Sequence, residues 1–279
     1  MGDSFTTPDG LALARSDWPA TAAARGTVLI VHGLGEHAGR HAGLAALLAA
    51  QGWHVTGYDH RGHGRSPGAR GAIPDDDALL RDLAAVVDAL RRERGGPLVL
   101  LGHSMGGQIA ARFVAEGLRA PPAAWSRPVD ALVLSSPALD ADTNAVQKLL
   151  LATLGRLAPD LAVANGLKPE WISRDPAVVA AYVADPLVHD RITPRLARFI
   201  LDGGALVRRL APLWRVPTLL LWAGADRCVA PRGSATFVQA APGGIVEGQV
   251  FPALAHEIFH EPERDAVIVR LQAWLTRVG

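Results

Sequence analysis

Ser104 lies at the centre of Gly102-His103-Ser104-Met105-Gly106, and two further residue types complete a possible chemistry with it: Asp226, after Gly224-Ala225, and His256, after Leu254-Ala255. A serine hydroxyl is a weak nucleophile until a base takes its proton. Imidazole titrates near neutral pH and can act as that base, while a carboxylate fixes the imidazole tautomer and stabilises the imidazolium. The three therefore suit acyl transfer through a covalent serine ester. Other acids and bases compete for these roles. Asp202 falls in a helical stretch, and His41, His54 and His189 read as surface or structural histidines, whereas Asp226 and His256 each follow an apolar run.

The elements that position these residues are legible. Residues 98–101, Leu-Val-Leu-Leu, form a short apolar run that reads as a buried strand, and residues 108–118 carry helical spacing. A strand turning sharply into a helix holds its central residue in a strained conformation. Gly102 and Gly106 allow the close backbone approach that this turn needs, and the helix N-terminus favours the negative charge that develops at the attacked carbonyl.

The same alternation runs through the rest of the first half. Residues 5–7 and 11–14 flank Pro8-Asp9-Gly10 and read as a hairpin. Strands are predicted at 27–31, 54–58 and 131–134, with helices ending near Ala50 and spanning 75–92. After Pro137 the alternation stops, and residues 140–190 show helical stretches such as 146–157, four interrupting prolines and no convincing strand. It resumes with a helix at 194–210, strands at 217–222 and 245–251, and a terminal helix with Pro262 in its first turn. The expected architecture is α/β: a mostly parallel sheet flanked by helices, its first part in residues 1–139, a helical lid insertion in 140–192 and its second part in 193–279. In such a sheet the carboxyl ends of the strands share one edge, where Ser104, Asp226 and His256 can converge.

Composition narrows the function classes. The 279 residues are 49% hydrophobic and 20% charged with a formal charge of +1, ordinary for a globular enzyme and unsuited to a nucleic-acid surface. Cys228 is the single cysteine, so no internal disulfide forms. No basic leader followed by an apolar stretch and no run of about 18 apolar residues is seen, and a cytoplasmic protein is the expectation.

Two other motifs invite different chemistry. His256-Glu257-Ile258-Phe259-His260 matches a zinc-binding pattern that requires a continuous helix, but Pro252 and Pro262 bracket it, so no metal is expected. Gly33-x-Gly35 after a strand, with Asp59 ending the next strand, resembles a dinucleotide site, but the glycine spacing is incomplete and Glu36 would repel a pyrophosphate. No cofactor is expected.

Six stretches together resemble the monoacylglycerol lipase and lysophospholipase-like branch of the α/β-hydrolases, the serine aminopeptidase S33 group. They are His32-Gly33-x-Gly35-Glu36-His37-x-x-Arg40, Asp59-His60-Arg61-Gly62-His63-Gly64-Arg65-Ser66, the Ser104 motif, Ser136-Pro137, Asp185-Pro186-Leu187 and Gly224-x-Asp226-Arg227. The resemblance implies an α/β-hydrolase fold, a Ser104-Asp226-His256 triad and an oxyanion hole from the Leu34 and Met105 amides. It further implies that Glu36 and Arg40 lie near the polar head of the substrate, the alternative being an ion pair that shapes their loop. His41 replaces a common tyrosine, and Leu34 is bulkier than the usual residue, which narrows the expected acyl pocket. The implied substrate is a small ester, most simply a monoacylglycerol or related lipid. A short-chain carboxylesterase, a lysophospholipase, an acyltransferase and a non-catalytic apolar-ligand binder are the alternatives. In the lid, Leu149, Leu150, Leu151, Leu154, Leu157 and Trp171 are expected to line an acyl tunnel, to make transient contact with a membrane surface, or to pack on the core.

Overall fold

The computed structural model describes residues 4–141 and 153–278. The short antiparallel pair β1 (Ser4–Thr6) and β2 (Ala12–Trp18) opens the chain around the Pro8-Asp9-Gly10 turn. β3 (Gly26–Val31), α1 (Ala42–Ala49), β4 (Trp53–Tyr58), α2 (Ala78–Glu93), β5 (Leu98–His103), α3 (Met105–Gly117) and β6 (Ala131–Ser135) then alternate. Within the described part of the insertion, β7 (Val163–Ala164), α4 (Pro176–Ala184) and β8 (Arg191–Ile192) follow. The chain closes with α5 (Pro194–Leu210), β9 (Thr218–Ala223), α6 (Pro231–Ala240), β10 (Val246–Phe251) and α7 (Arg264–Val278).

Eight strands form one sheet in the order β1-β2-β4-β3-β5-β6-β9-β10, parallel from β4 to β10. β3, β5 and β6 are buried along their whole length because helices cover both faces, and they accordingly read as continuous Val/Leu/Ile runs. One face packs Leu29, Leu100, Leu132 and Leu220 against α2, α3, α5 and α6; the other packs Val28, Val99, Val133 and Leu219 against α1 and α7. The fold is that of the α/β-hydrolases, with residues 163–192 laid against the carboxyl edge of the sheet. There the His189 N–H donates to the Gly35 carbonyl and the Glu257 N–H to the Ile172 carbonyl, at 2.9 and 2.8 Å.

Three details differ from the sequence reading. β7 and β8 pair antiparallel inside a stretch where no strand was expected, since two residues per strand are too few to leave an alternating pattern. The terminal helix begins at Arg264, so Pro262 belongs to the preceding turn. The chain entering α1 passes first through a 3-10 turn, Ala38–His41. Of the helix expected at 146–157, residues 146–152 lie outside the described residues, while 153–157 are helical. Among the described residues no helix is long and apolar enough to cross a membrane.

The polar loop from Asp59 to Ser66 serves the fold, as its glycines and charges suggest. Asp59 accepts the amides of Ala38 and Arg65, and the His60 amide donates to His32 Nε2 at 2.9 Å, which braces the loop after β3. Arg61 forks onto the fully buried Asp82 of α2 through two 2.6 Å bonds and reaches Asp9 in the β1–β2 turn. Removing one partner of a buried ion pair strands the other without solvent. Asp82→Ala is therefore expected to destabilise the fold by about 3–5 kcal/mol, read from the midpoint of denaturant unfolding.

Candidate active site

Ser104 occupies the turn between β5 and α3 with φ 52° and ψ −120°, a conformation that a non-glycine residue adopts only when its surroundings impose it. The imposition is visible. The Ser104 amide donates to Ser135 on the neighbouring strand, and its carbonyl accepts the amides of Gln108 and Ala138. A Cβ at Gly102 would lie 2.6 Å from the Gly106 carbonyl oxygen, and one at Gly106 would collide with the Val31 and His32 carbonyls. The turn closes only with glycine at both positions, and closure raises Ser104 to the carboxyl edge of the sheet.

Asp226 and His256 arrive on the loops after β9 and β10, which run parallel and in register. The two loops hold each other: the Gly224 amide donates to Phe251 O and the Ala225 amide to Leu254 O. Gly224 permits this approach, since a Cβ there would stand 2.6 Å from Pro252 Cα. His256 Nδ1 donates to Asp226 Oδ2 at 2.7 Å, with both side chains buried. The second carboxylate oxygen of Asp226 is fixed by the amides of Cys228 and Val229, at 2.8 and 3.0 Å. With Nδ1 engaged, Nε2 of His256 is the nitrogen that remains for a proton, and His256 lines one cavity with Ser104. Burial alone would depress the His256 pKa, but the charge and hydrogen bond of Asp226 outweigh it and hold the imidazole above its ordinary value. His103, its ring 4.8 Å away, is pushed down to about 3 by burial and by His256, and stays neutral.

Leu34 and Met105, whose amides were expected to form the oxyanion hole, both line a cavity with Ser104. The Leu34 loop is braced from beneath by Glu36, whose Oε1 accepts the Gly33 amide at 2.6 Å. Glu36 also takes Arg40 at 2.9 Å and His41 at 3.2 Å, and Arg40 in turn forks onto Glu257, beside His256, at 2.6 and 2.8 Å. Glu36 borders the cavity, whereas Arg40 is turned into this ion network, so the geometry adds weight to the loop-shaping alternative. The carboxylate of Glu36 is held well below its usual range: burial opposes ionisation, and the charges of His41 and Arg40 overcome it.

Two cavities meet at Ser104. One, of about 340 Å³, is bordered by Glu36, Lys168, Tyr182, Asp185, His189 and Glu257 as well as His256. The other, of about 310 Å³, is bordered by Leu139, Leu167, Ile192, Ile200, Leu201 and Val229 with Met105. Leu34, Asn165, Leu167 and Cys228 border both. The expected lining residues fare differently: Leu149, Leu150 and Leu151 lie outside the described residues, Leu154 is half-buried, Leu157 is exposed, and Trp171 sits under Arg227 and Lys168. None of the described three is among the residues bordering the two cavities. His189, read as surface or structural, borders the cavity that holds His256. Sequence reasoning also missed Glu257, visible only as part of the zinc-like pattern, and Tyr182, which covers Arg40 with its ring.

That pattern is split in space. His256 turns to Asp226, and His260 turns to Glu257 and the Arg40 carbonyl, on a segment that is not helical. Among the described residues, Asp226, Cys228 and His256 bring one ligand atom each within 4.8 Å of one another, and the hydrogen bonds just described already engage Asp226.

Residues 22–263 match the family described as serine aminopeptidase S33. The chain is 36% identical over 277 residues to a monoacylglycerol lipase of Mycolicibacterium smegmatis, covering 98% of this chain and 95% of that protein. It is 31% identical over 267 residues to the monoglyceride lipase of Homo sapiens, covering 91% and 86%. The crystal structure of Paleococcus ferrophilus monoacylglycerol lipase superposes with a TM-score of 0.83 at 34% identity, covering 96% and 99%.

A base must be neutral to accept the Ser104 proton, so activity should rise with pH through the His256 pKa. The acid limb of kcat/KM is expected above the ordinary imidazole value of about 6.5. In Asp226→Asn the charge that opposes burial is gone: the limb should move to lower pH and kcat should fall about 10⁴-fold. Both are read from pH–rate profiles on a soluble ester.

Proposed function

The chain belongs to the serine aminopeptidase S33 family, and from that membership and the site geometry we propose that it hydrolyses monoacylglycerols or closely related lipid esters through an acyl-enzyme on Ser104. The observation that carries this reading is the meeting at one serine of an apolar cavity and a second, mixed cavity whose border carries most of the site's charged and polar side chains. An ester with an acyl chain on one side and a polyol on the other has the same division. In this reading the acyl chain lies along Ile200, Leu201 and Val229, and the glycerol lies towards Glu36, His189 and Glu257.

His256 Nε2 takes the proton from Ser104 as the hydroxyl attacks the ester carbonyl. The Leu34 and Met105 amides receive the oxyanion and stabilise its charge through dipoles already in place before the reaction. His256 then protonates the departing glycerol oxygen. Water, deprotonated by the same imidazole, attacks the acyl-enzyme and restores Ser104. Asp226 holds the imidazole throughout. Glu36 and Arg40 contribute through the loop they brace, with Glu36 at the edge of the glycerol pocket.

Residues 140–192 act as a lid in this reading. Its described part leaves Leu157, Leu161 and Val183 more than half exposed, the sort of apolar surface that meets lipid, which supports transient contact with a membrane or micelle during substrate uptake.

Two measurements test the assignment. Wild-type protein should cleave long-chain monoacylglycerols faster than p-nitrophenyl acetate and lysophospholipid, and Ser104→Ala should abolish turnover of each. Preference for acetate would replace the lipid reading with a short-chain esterase, and partition of product towards an added alcohol would indicate acyl transfer. Filling the apolar cavity with Leu201→Trp should cost long-chain esters at least tenfold in kcat/KM while leaving p-nitrophenyl acetate within about twofold, a steric loss of about 1.4 kcal/mol or more.

A further inference from the structure

Glu261 lies outside the triad, the oxyanion loop and both cavities, yet its carboxylate is fully buried and accepts four hydrogen bonds from two directions. Oε2 accepts the amide of Ala255, the residue before His256, at 2.8 Å. From the insertion, Oε1 accepts the amide of Arg174 at 2.6 Å and the Ser173 hydroxyl at 2.8 Å, and Oε2 accepts Arg174 Nε at 2.6 Å. The same two segments touch twice more, through the Glu257 amide on the Ile172 carbonyl at 2.8 Å and the Ser173 hydroxyl near the His260 carbonyl at 3.3 Å. Ile172 itself borders the cavity that holds His256.

A buried carboxylate without donors would be expelled or neutralised, so these donors are a condition of Glu261 being there at all. Three come from Ser173 and Arg174, more than 80 residues earlier in the chain, and one from the loop that carries the catalytic base. The loop after β10 has neither helix nor strand between Phe251 and Arg264; local turns and the Ala225 amide on the Leu254 carbonyl hold it on the Asp226 side. The insertion holds it from the other side, and Glu261 is where that second support is delivered.

We propose that Glu261 is a positioning residue for His256, joining the catalytic histidine loop to the Ile172–Ser173–Arg174 segment of the insertion so that the two move as one body. Contact of the substrate with Ile172 then acts on the same segment that holds the base. Misplacement of a catalytic group by about 1 Å costs on the order of 100-fold in rate, so loosening this joint reads out in turnover rather than in binding. The inference rests on the triad assignment but not on the lipid assignment.

The test uses p-nitrophenyl octanoate, so a failure of the monoacylglycerol reading leaves it intact, and wild type against Ser104→Ala and His256→Ala tests the nucleophile and the base in the same assay. Glu261→Gln keeps the size and one acceptor oxygen for the Ala255 amide but presents an NH₂ group where a second acceptor was needed, breaking part of the link to Arg174. Arg174→Ala removes the guanidinium from the other side, and its partial exposure and second partner, Glu263, make it the variant that keeps the fold. Rates are normalised to the number of serines titrated by a phosphonate, which removes any loss caused by unfolded protein. Glu261→Gln is expected to lower kcat per active serine at least tenfold with KM within twofold, and Arg174→Ala about threefold or more. The double variant should fall no further than Glu261→Gln alone, because both changes break one joint. Unchanged kcat per titrated serine in both single variants, or effects that multiply fully in the double variant, would overturn the proposal.

Discussion

The hydrogen bond from His256 Nδ1 to Asp226 Oδ2 is the interaction on which the site depends, because it turns an imidazole that burial would keep neutral into one that can carry a proton in mid-reaction. Its 2.7 Å length is set by the register of β9 and β10, by Gly224 against Pro252, and by the Cys228 and Val229 amides that fix the other oxygen of the carboxylate. The sheet therefore works as a jig: parallel strands end on one edge, and β5, β9 and β10 deliver the three residues of the proposed triad there.

Around this bond lies a shell of buried charge. Glu36, Arg40, His41, Glu257 and His260 form a continuous network from the oxyanion loop to the histidine loop, and Tyr182 of α4 covers Arg40. On the sheet side, Asp59 and His60 brace the loop after β3 by binding Ala38 and His32. Buried networks of this kind contribute little net stability, because desolvation offsets their attraction, but they leave few alternative arrangements for the side chains they join.

Ser104, Asp226 and His256 could be singled out in the sequence as a proposed triad because each sits just beyond an apolar run, and their order then matches a parallel sheet read along its carboxyl edge. The buried strands and the helix at Pro194–Leu210 were equally plain, since hydrophobic period and flanking proline agree there. β7 and β8 were not, being too short to show a period. For Glu36 and Arg40 the residue types allowed both a substrate contact and an ion pair, and only the fold shows Arg40 reaching Glu257, 217 positions away. Glu261 had no signal in the sequence beyond an ordinary acidic residue before Pro262. Its meaning comes from Ser173 and Arg174, and contacts between distant segments leave no trace in local pattern.

In the proposed mechanism Ser104 is a nucleophile made reactive by His256 on Asp226. The most direct test is the rate and site of covalent modification by a fluorophosphonate, followed by intact mass and peptide mapping at several pH values. One adduct per chain, on Ser104, is expected, formed faster as His256 loses its proton and slowed by orders of magnitude in a folded His256→Ala variant. An adduct on another residue, or wild-type labelling speed without His256, would contradict this mechanism.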